Sequence, residues 1–379
     1  MIRYPLFTLL ISLLLAPTAM AMTVPAATAE AKQLVQSLSL REGGPALRDH
    51  PRWQRPAYIV AYIPAQMKPL ATPMIAALTS VAGEIPIRSY SPTGSGELPD
   101  FVRRAEVVFG PCNKALLEQI PQLIWIQIPT SGSEACTSQS GVSAGDLLLT
   151  NAQRMAAVPI AEHAIGLTLM LSKNLHRYHR SQVAGKWQRQ LGLTSGELGD
   201  KTMLVLGLGG IGSEVAKRAN ALGMRVIATR NSSRSGPDYV DQVGLASDML
   251  DLAKEADIIV NALPLTPATL NLIDSEFFTV LEPGTLYVSV GRGQTTDLED
   301  LMTALDNGQL AGAALDVMHP EPLPANHPLW SHDKVIITPH VAGFSGAAFT
   351  RTFILFKENL RRYLNGDRLL NVVDIERGY

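Results

Sequence analysis

The sequence predicts an α/β protein built of two doubly wound parallel-sheet domains. Two observations carry that expectation. Short apolar runs alternate with helical patterns, twice over, and such alternation means parallel strands with helices on both faces. One strand–helix junction, from Val205 to Gly212, also carries the spacing G-x-G-x-x-G. The length of 379 residues fits two or three domains at roughly 150 residues each.

The elements follow in chain order. Arg3 precedes an apolar run at 6–16, then Pro17 and Ala19-Met20-Ala21, the layout of a secretory signal peptide over residues 1–21. The run is shorter than the roughly 20 apolar residues of a membrane span, so no stable span is expected once it is removed. Its use would make the protein secreted or periplasmic. The alternatives are an uncleaved anchor, or a true start at Met22 and a cytoplasmic protein. Residues 22–56 read as an N-terminal extension: an Ala-rich amphipathic helix within 26–40, then a Gly- and Pro-containing linker to Pro56, tethered on the surface.

From Ala57, strands are expected at 58–62, 85–89, 107–109, 124–128 and 147–150. Helices at 74–78, at 114–120 and after Ser133 lie between them. One long helix is expected over 160–185. A second set of strands follows at 202–206, 225–228, 258–261, 285–290, 312–316 and 335–338, with helices at 211–222, 247–254 and 298–307. A last helix spans 346–364.

Composition excludes several classes. The chain is 46% hydrophobic and 17% charged, which supports a large core and argues against disorder. Lys and Arg total 32 against 34 Asp and Glu, a net charge of −2, so nucleic acid is not an expected partner. Two cysteines, Cys112 and Cys136, exclude a disulfide-dense scaffold, and no Cys/His pattern has zinc spacing, so no metal site is expected. Their spacing leaves a Cys112–Cys136 bond open, because geometry decides it.

In Gly207-Leu208-Gly209-Gly210-Ile211-Gly212 the motif joins a strand to a helix, the context that gives it meaning. Gly207 permits the tight turn, Gly209 lets the backbone approach a pyrophosphate, and Gly212 lets helix and sheet pack closely. The helix N-terminus then offers N–H groups and the positive end of its dipole. A Rossmann dinucleotide site is therefore expected here, the alternative being a Gly-rich packing turn. The end of the next strand reads Thr229-Arg230-Asn231-Ser232-Ser233-Arg234, with no carboxylate for ribose hydroxyls and two guanidinium groups suited to a 2′-phosphate. NADP(H) is therefore expected, with NAD(H) as the alternative.

Further ordered strings point to a family. They are Pro159-Ile160-Ala161-Glu162-His163, Leu263-Pro264-Leu265-Thr266-Pro267, Val290-Gly291-Arg292-Gly293, Leu315-Asp316-Val317 with Glu321-Pro322-Leu323-Pro324, and Thr338-Pro339-His340-Val341-Ala342-Gly343. With the glycine turn, they make the chain from about 57 onward resemble the D-isomer-specific 2-hydroxyacid dehydrogenases, and within them the glyoxylate/hydroxypyruvate reductases. The resemblance does not reach residues 1–56. It implies a flavodoxin-like substrate domain of residues 57–157 plus 345–379, and a Rossmann nucleotide domain of residues 158–344. It also implies a homodimer with the long helix in its interface.

The resemblance implies a catalytic triad of Arg292, Glu321 and His340. The chemistry suits the residue types. Arg292 can bind the carboxylate of a short 2-oxo acid and polarise its ketone. His340 can give a proton to the oxygen or take it back, with Glu321 as its partner. The turn Ser131-Gly132-Ser133 is expected to offer N–H groups to the substrate carboxylate. Asp316 is expected near the nicotinamide amide, and Leu263, Pro264, Thr269, Val290 and Gly291 around the rest of the cofactor. His163, His176 and His179 are expected to pack on the long helix.

Two departures stand out. Arg230 replaces the acidic residue common in NAD-using members, and Met318-His319-Pro320 precedes Glu321 where many relatives carry an aromatic and an acidic residue. The implied reaction is reduction of a short 2-oxo acid to a D-2-hydroxy acid by NADPH. The alternatives are NAD-dependent oxidation of D-2-hydroxy acids, a non-catalytic dinucleotide sensor, and a secreted 2-oxo-acid binding protein.

Overall fold

The computed structural model describes residues 24–91, 96–137, 147–194 and 196–378, so the expected signal segment lies outside the described residues. The first strand set forms β1 (Ile59–Tyr62), β2 (Ile87–Tyr90), β3 (Val107–Phe109), β4 (Trp125–Gln127) and β5 (Leu148–Thr150). They pair in parallel in the order β2-β1-β3-β4-β5, the flavodoxin-like order. Every residue of β3 and β4 is buried, as strands covered on both faces require.

The second set forms β6 (Thr202–Leu206), β7 (Arg225–Thr229), β8 (Gln242–Gly244), β9 (Ile258–Asn261), β10 (Thr285–Ser289), β11 (Leu310–Leu315) and β12 (Val335–Ile337). The order is β12-β11-β10-β9-β6-β7-β8, all parallel, with the reversal of direction between β6 and β9. A ligand cleft opens at the carboxyl ends of strands beside such a reversal. Strand β8 escapes a reading by periodicity. It is a three-residue edge strand whose one large apolar residue is Val243.

The helices that matter for the site are α1 (Ala29–Ser37), α2 (Ala71–Ala82), α3 (Lys114–Gln119), α4 (Ala157–Ser172), α5 (Leu175–Val183), α6 (Gly210–Ala221), α7 (Leu298–Asp306) and α8 (Gly346–Asn365). The single long helix expected over 160–185 is two helices. Asn174 breaks it with a left-handed backbone, φ 54°, a conformation Asn tolerates better than most residues. The Asn174 side-chain amide donates to the Leu191 carbonyl at 3.2 Å and pins the break to the following turn.

The last helix returns to the first sheet. Phe356 stacks on Phe109 and Tyr363 on Trp125, with ring centroids 5.4 and 5.0 Å apart. Between them, buried Asn359 donates to Gln127 Oε1 at 2.7 Å and to the Leu370 carbonyl at 3.0 Å, and accepts from Leu370 N–H at 2.8 Å.

Residues 24–56 are more than a surface tether. Thr28 caps α1, and Leu34 and Leu40 are buried with Met155, Leu355 and Leu370. Glu42–Gly43 pairs antiparallel with Leu369–Leu370, and the Trp53 indole donates to the Tyr363 carbonyl at 2.9 Å. The apolar Leu34, Leu40 and Leu47 are what bind this segment to the core.

Replacing Asn359 by Ala leaves the Leu370 N–H and Gln127 without their buried partner. The expected loss is about 1–3 kcal/mol of stability, read from urea unfolding.

Candidate active site

The glycine turn has the geometry its residues imply. Gly207 has φ 91°, a Cβ on Gly212 would collide with the Gly207 carbonyl, and a Cβ on Gly209 would meet nothing within 4 Å. Gly209 caps α6, so the first N–H groups of that helix face the cleft. Thr229 is buried and works on the turn itself. Its hydroxyl accepts from Gly207 N–H at 3.2 Å, and its carbonyl accepts from Leu208 N–H at 2.8 Å.

The residues after β7 divide. Arg230 donates to the Ser235 carbonyl at 3.0 Å. Asn231 and Ser232 are exposed in the same turn. Arg234 is ion-paired with Asp248, its Nη2 3.1 Å from Oδ1, and its hydrogen bonds hold that carboxyl below the usual range. Arg234 thus ties the loop to the segment after β8 instead of offering a free guanidinium. On the opposite side, Leu263 N–H donates to Asn261 Oδ1 at 3.1 Å. Thr269 donates to the Pro264 carbonyl at 2.7 Å and closes that turn on itself. Val290 and Gly291 follow β10, with Gly291 against the Leu263 backbone.

Glu321 and His340 meet. His340 Nδ1 lies 2.8 Å from Glu321 Oε2, and the other carboxylate oxygen accepts from Met318 N–H at 3.0 Å. Among the described residues no protein group bonds the second ring nitrogen, Nε2, and the side chain is half exposed. His340 has φ 54°, strained for a non-glycine residue. Asp316 accounts for that strain. Its carboxylate is 2% exposed and accepts from Thr338 Oγ1 at 2.6 Å, Val341 N–H at 3.0 Å and Ala342 N–H at 3.1 Å. Asp316 therefore holds the turn that presents His340. His163 packs on this turn, its Nε2 2.9 Å from Thr338 Oγ1.

Arg292 leaves β10 between two glycines. A Cβ on Gly293 would overlap the Met318 backbone, so the Arg292 segment lies directly on the segment that carries Glu321. The guanidinium donates from Nη1 to the Gly291 carbonyl at 2.8 Å and from Nε to Glu134 Oε1 at 2.9 Å. Its Nη2 lies against the bare Cα of Gly132, where any side chain would collide. Glu134 follows β4 in the first unit, so this ion pair joins the two sheets' loops across the cleft.

The turn 131–133 is thus beside Arg292. Among the described residues no protein acceptor takes the N–H groups of Ser131, Gly132 or Ser133. The side chains are otherwise engaged. The Ser133 hydroxyl donates to the Gly378 carbonyl at 2.8 Å and the Ser131 hydroxyl to the Ala152 carbonyl at 3.4 Å, while the Ser131 carbonyl accepts from the Asn151 side chain at 2.8 Å. Cys112 and Cys136 form a disulfide with Cα atoms 5.4 Å apart, anchoring the short helix Glu134–Thr137 to the loop after β3. Sequence reasoning missed Glu134. Its one signal was a carboxylate directly after the 131–133 turn.

Comparison with known proteins agrees with this fold. Residues 165–342 match the family model described as D-isomer specific 2-hydroxyacid dehydrogenase, NAD binding domain. The chain is 31% identical over 278 residues to a Haemophilus influenzae protein whose name assigns it to the 2-hydroxyacid dehydrogenases, covering 70% of this chain and 84% of that one. It is 33% identical over 229 residues to D-3-phosphoglycerate dehydrogenase of Methanocaldococcus jannaschii, but that match spans 60% of this chain and only 43% of the relative. In fold it is similar to the NADPH-dependent glyoxylate/hydroxypyruvate reductase of Sinorhizobium meliloti, crystallised with NADP and sulfate. The TM-score is 0.71 at 23% identity, covering 85% of this chain and 100% of that one.

Removing the disulfide with a Cys112→Ser, Cys136→Ser double variant should lower stability by about 2–4 kcal/mol. Urea unfolding of the oxidised protein against the variant reads that loss directly.

Proposed function

The chain belongs to the D-isomer-specific 2-hydroxyacid dehydrogenase family, and from that premise we propose that it reduces a short 2-oxo acid, of the glyoxylate or hydroxypyruvate type, to a D-2-hydroxy acid with NADPH. Membership makes it an NAD(P)-dependent oxidoreductase. The observation that carries the finer reading is the pairing of His340 with Glu321 beside an arginine set against the 131–133 turn.

The residues divide the work. The substrate carboxylate meets the N–H groups of the 131–133 turn and the guanidinium of Arg292, which also polarises the ketone oxygen. NADPH, when bound, supplies the hydride. His340 delivers the proton from Nε2 to the same oxygen, so that C=O becomes CH–OH. Glu321, on Nδ1, fixes the ring and balances its charge, and Asp316 holds the turn beneath it. The residues present fit a dinucleotide: an open glycine turn at the N-terminus of α6, and no carboxylate in the 229–234 stretch to repel a 2′-phosphate. Solved structures of the same fold hold NADPH or NADP in some proteins and NAD in others, so the preference rests on the 229–234 stretch.

We propose a homodimer through the α4–α5 face. Val183 and Trp187, 77% and 91% exposed, form an apolar edge there that a second copy would cover. We also propose export through residues 1–21. The Cys112–Cys136 disulfide supports it, because such bonds persist in oxidising compartments. The cofactor would then travel bound or be met outside.

Purified protein should oxidise NADPH in preference to NADH with glyoxylate or hydroxypyruvate, followed by near-ultraviolet absorbance. Arg292→Ala and His340→Ala should each lower kcat/KM at least about a hundredfold. A clear preference for NADH would overturn the cofactor reading and leave the family intact. Light scattering should give a dimer for the wild type, and a Val183→Glu, Trp187→Glu variant should be monomeric.

A further inference from the structure

Arg154 lies on the segment that crosses from the first sheet to α4, far in sequence from the glycine turn and from the 229–234 stretch. Its backbone has φ 72°, a left-handed conformation that a non-glycine residue adopts only where its surroundings impose it. The side chain reaches the nucleotide domain. A Cβ on Gly210 would stand 2.9 Å from Arg154 Cγ, so the stem of this arginine lies on the first residue of α6. Its Nη1 donates to the Leu38 carbonyl of the N-terminal extension at 3.2 Å.

Two of the charges around it, Arg41 and Arg230, are of its own sign. Burial pushes the half-buried Arg154 guanidinium below its usual value, and Arg41 and Arg230 push it in the same direction. Tyr239 and Glu214 oppose them. Glu214 is held by Arg218, whose Nη1 is 2.5 Å from its Oε2. Among the described residues, no carboxylate forms an ion pair with Arg41, Arg154 or Arg230. Gathering guanidinium groups in this way costs free energy unless an anion is shared between them.

The place identifies the anion. Arg230 follows β7, at the position that reads the adenosine ribose, while Gly210 opens the helix that receives the pyrophosphate. Arg154 has Gly210 beneath its stem, and its guanidinium, bonded to Leu38 of the extension, is close enough to Arg230 to feel its charge. We propose that Arg154 and Arg41, from the crossing segment and the N-terminal extension, join Arg230 in binding the 2′-phosphate of the cofactor. The inference rests on the NADPH reading above and deepens it. It gives the extension a part in cofactor choice, and it accounts for glycine at 210, where a side chain would displace Arg154.

The test is equilibrium binding to the intact protein by calorimetry, with adenosine 2′,5′-bisphosphate and adenosine 5′-monophosphate as probes. The readout is the ratio of their Kd values, which partial unfolding of a variant would leave unchanged. Wild type should favour the bisphosphate. Arg154→Ala should cut that ratio about tenfold or more, as expected for loss of a charge-assisted hydrogen bond, with Arg154→Lys between the two. Arg41→Ala should cut it less, and it tests the site without touching the strained crossing residue. If Arg230→Ala lowers the ratio while Arg154→Ala and Arg41→Ala leave it at the wild-type value, the inference is wrong and the NADPH reading stands. If wild type binds both probes equally, the NADPH reading fails and the inference with it.

Discussion

The carboxylate of Asp316 is the group on which the site depends. It is buried at the end of β11 and accepts two backbone N–H groups and one hydroxyl from the 338–342 turn. A buried carboxylate is tolerable only when its lone pairs are so filled, and removing any donor would leave a charge without compensation. Those three bonds fold the chain tightly enough to drive His340 to positive φ. The same turn lays the His340 backbone N–H on the Asp316 carbonyl at 2.8 Å. The imidazole is then aimed at Glu321, and Glu321 is in turn fixed by Met318 N–H, three residues away. Met318 lies beneath Gly293, next to Arg292. Strand end, histidine, glutamate and arginine therefore form one continuous packed structure, in which a shift in any member is felt by the rest.

The crossing segment 151–156 shows a second dependence. The Asn371 side chain donates to the Gln153 carbonyl at 2.9 Å, and Arg351 donates to the Met155 carbonyl at 2.8 Å. Met155 itself is buried with Leu34 and Leu40 of the extension and Leu355 of α8. Three separated stretches of chain thus grip the short piece that joins the two sheets. The N-terminal extension and the last helix belong to the mechanics of the cleft as much as to the stability of the first sheet.

Much of this was legible in local strings. The glycine turn, the largely apolar runs of β3, β6 and β9, and the Gly-Arg-Gly and Thr-Pro-His strings all state their structure within a few residues. Parallel sheets bury both faces and so write their strands as apolar runs. What stayed hidden depends on distance along the chain or on a single dihedral. Glu134 and Arg292 are 158 residues apart. Arg234 pairs with Asp248, on the segment after β8, a contact no local string announces. The break between α4 and α5 hangs on the backbone of Asn174 alone, in a stretch whose polarity suits a surface helix equally well. The disulfide turned on whether the loop after β3 and the turn after β4 lie side by side, which spacing does not reveal.

The Glu134–Arg292 pair bears on how a cleft can be both held and used. The guanidinium is approached from three sides: by Glu134 at Nε, by the Gly291 carbonyl at Nη1, and by the Gly132 backbone at Nη2. It is therefore already oriented, and little side-chain entropy remains to be lost on binding an anion. Both partners are about three-tenths exposed, and an ion pair in that setting is worth only about 0–1 kcal/mol. A substrate carboxylate that draws on the same guanidinium thus displaces, or shares with, a weak competitor. Burying the pair would have made it costly to break. A partly exposed glutamate keeps Arg292 in place without competing strongly for its charge, and it does so from the loop that the disulfide anchors.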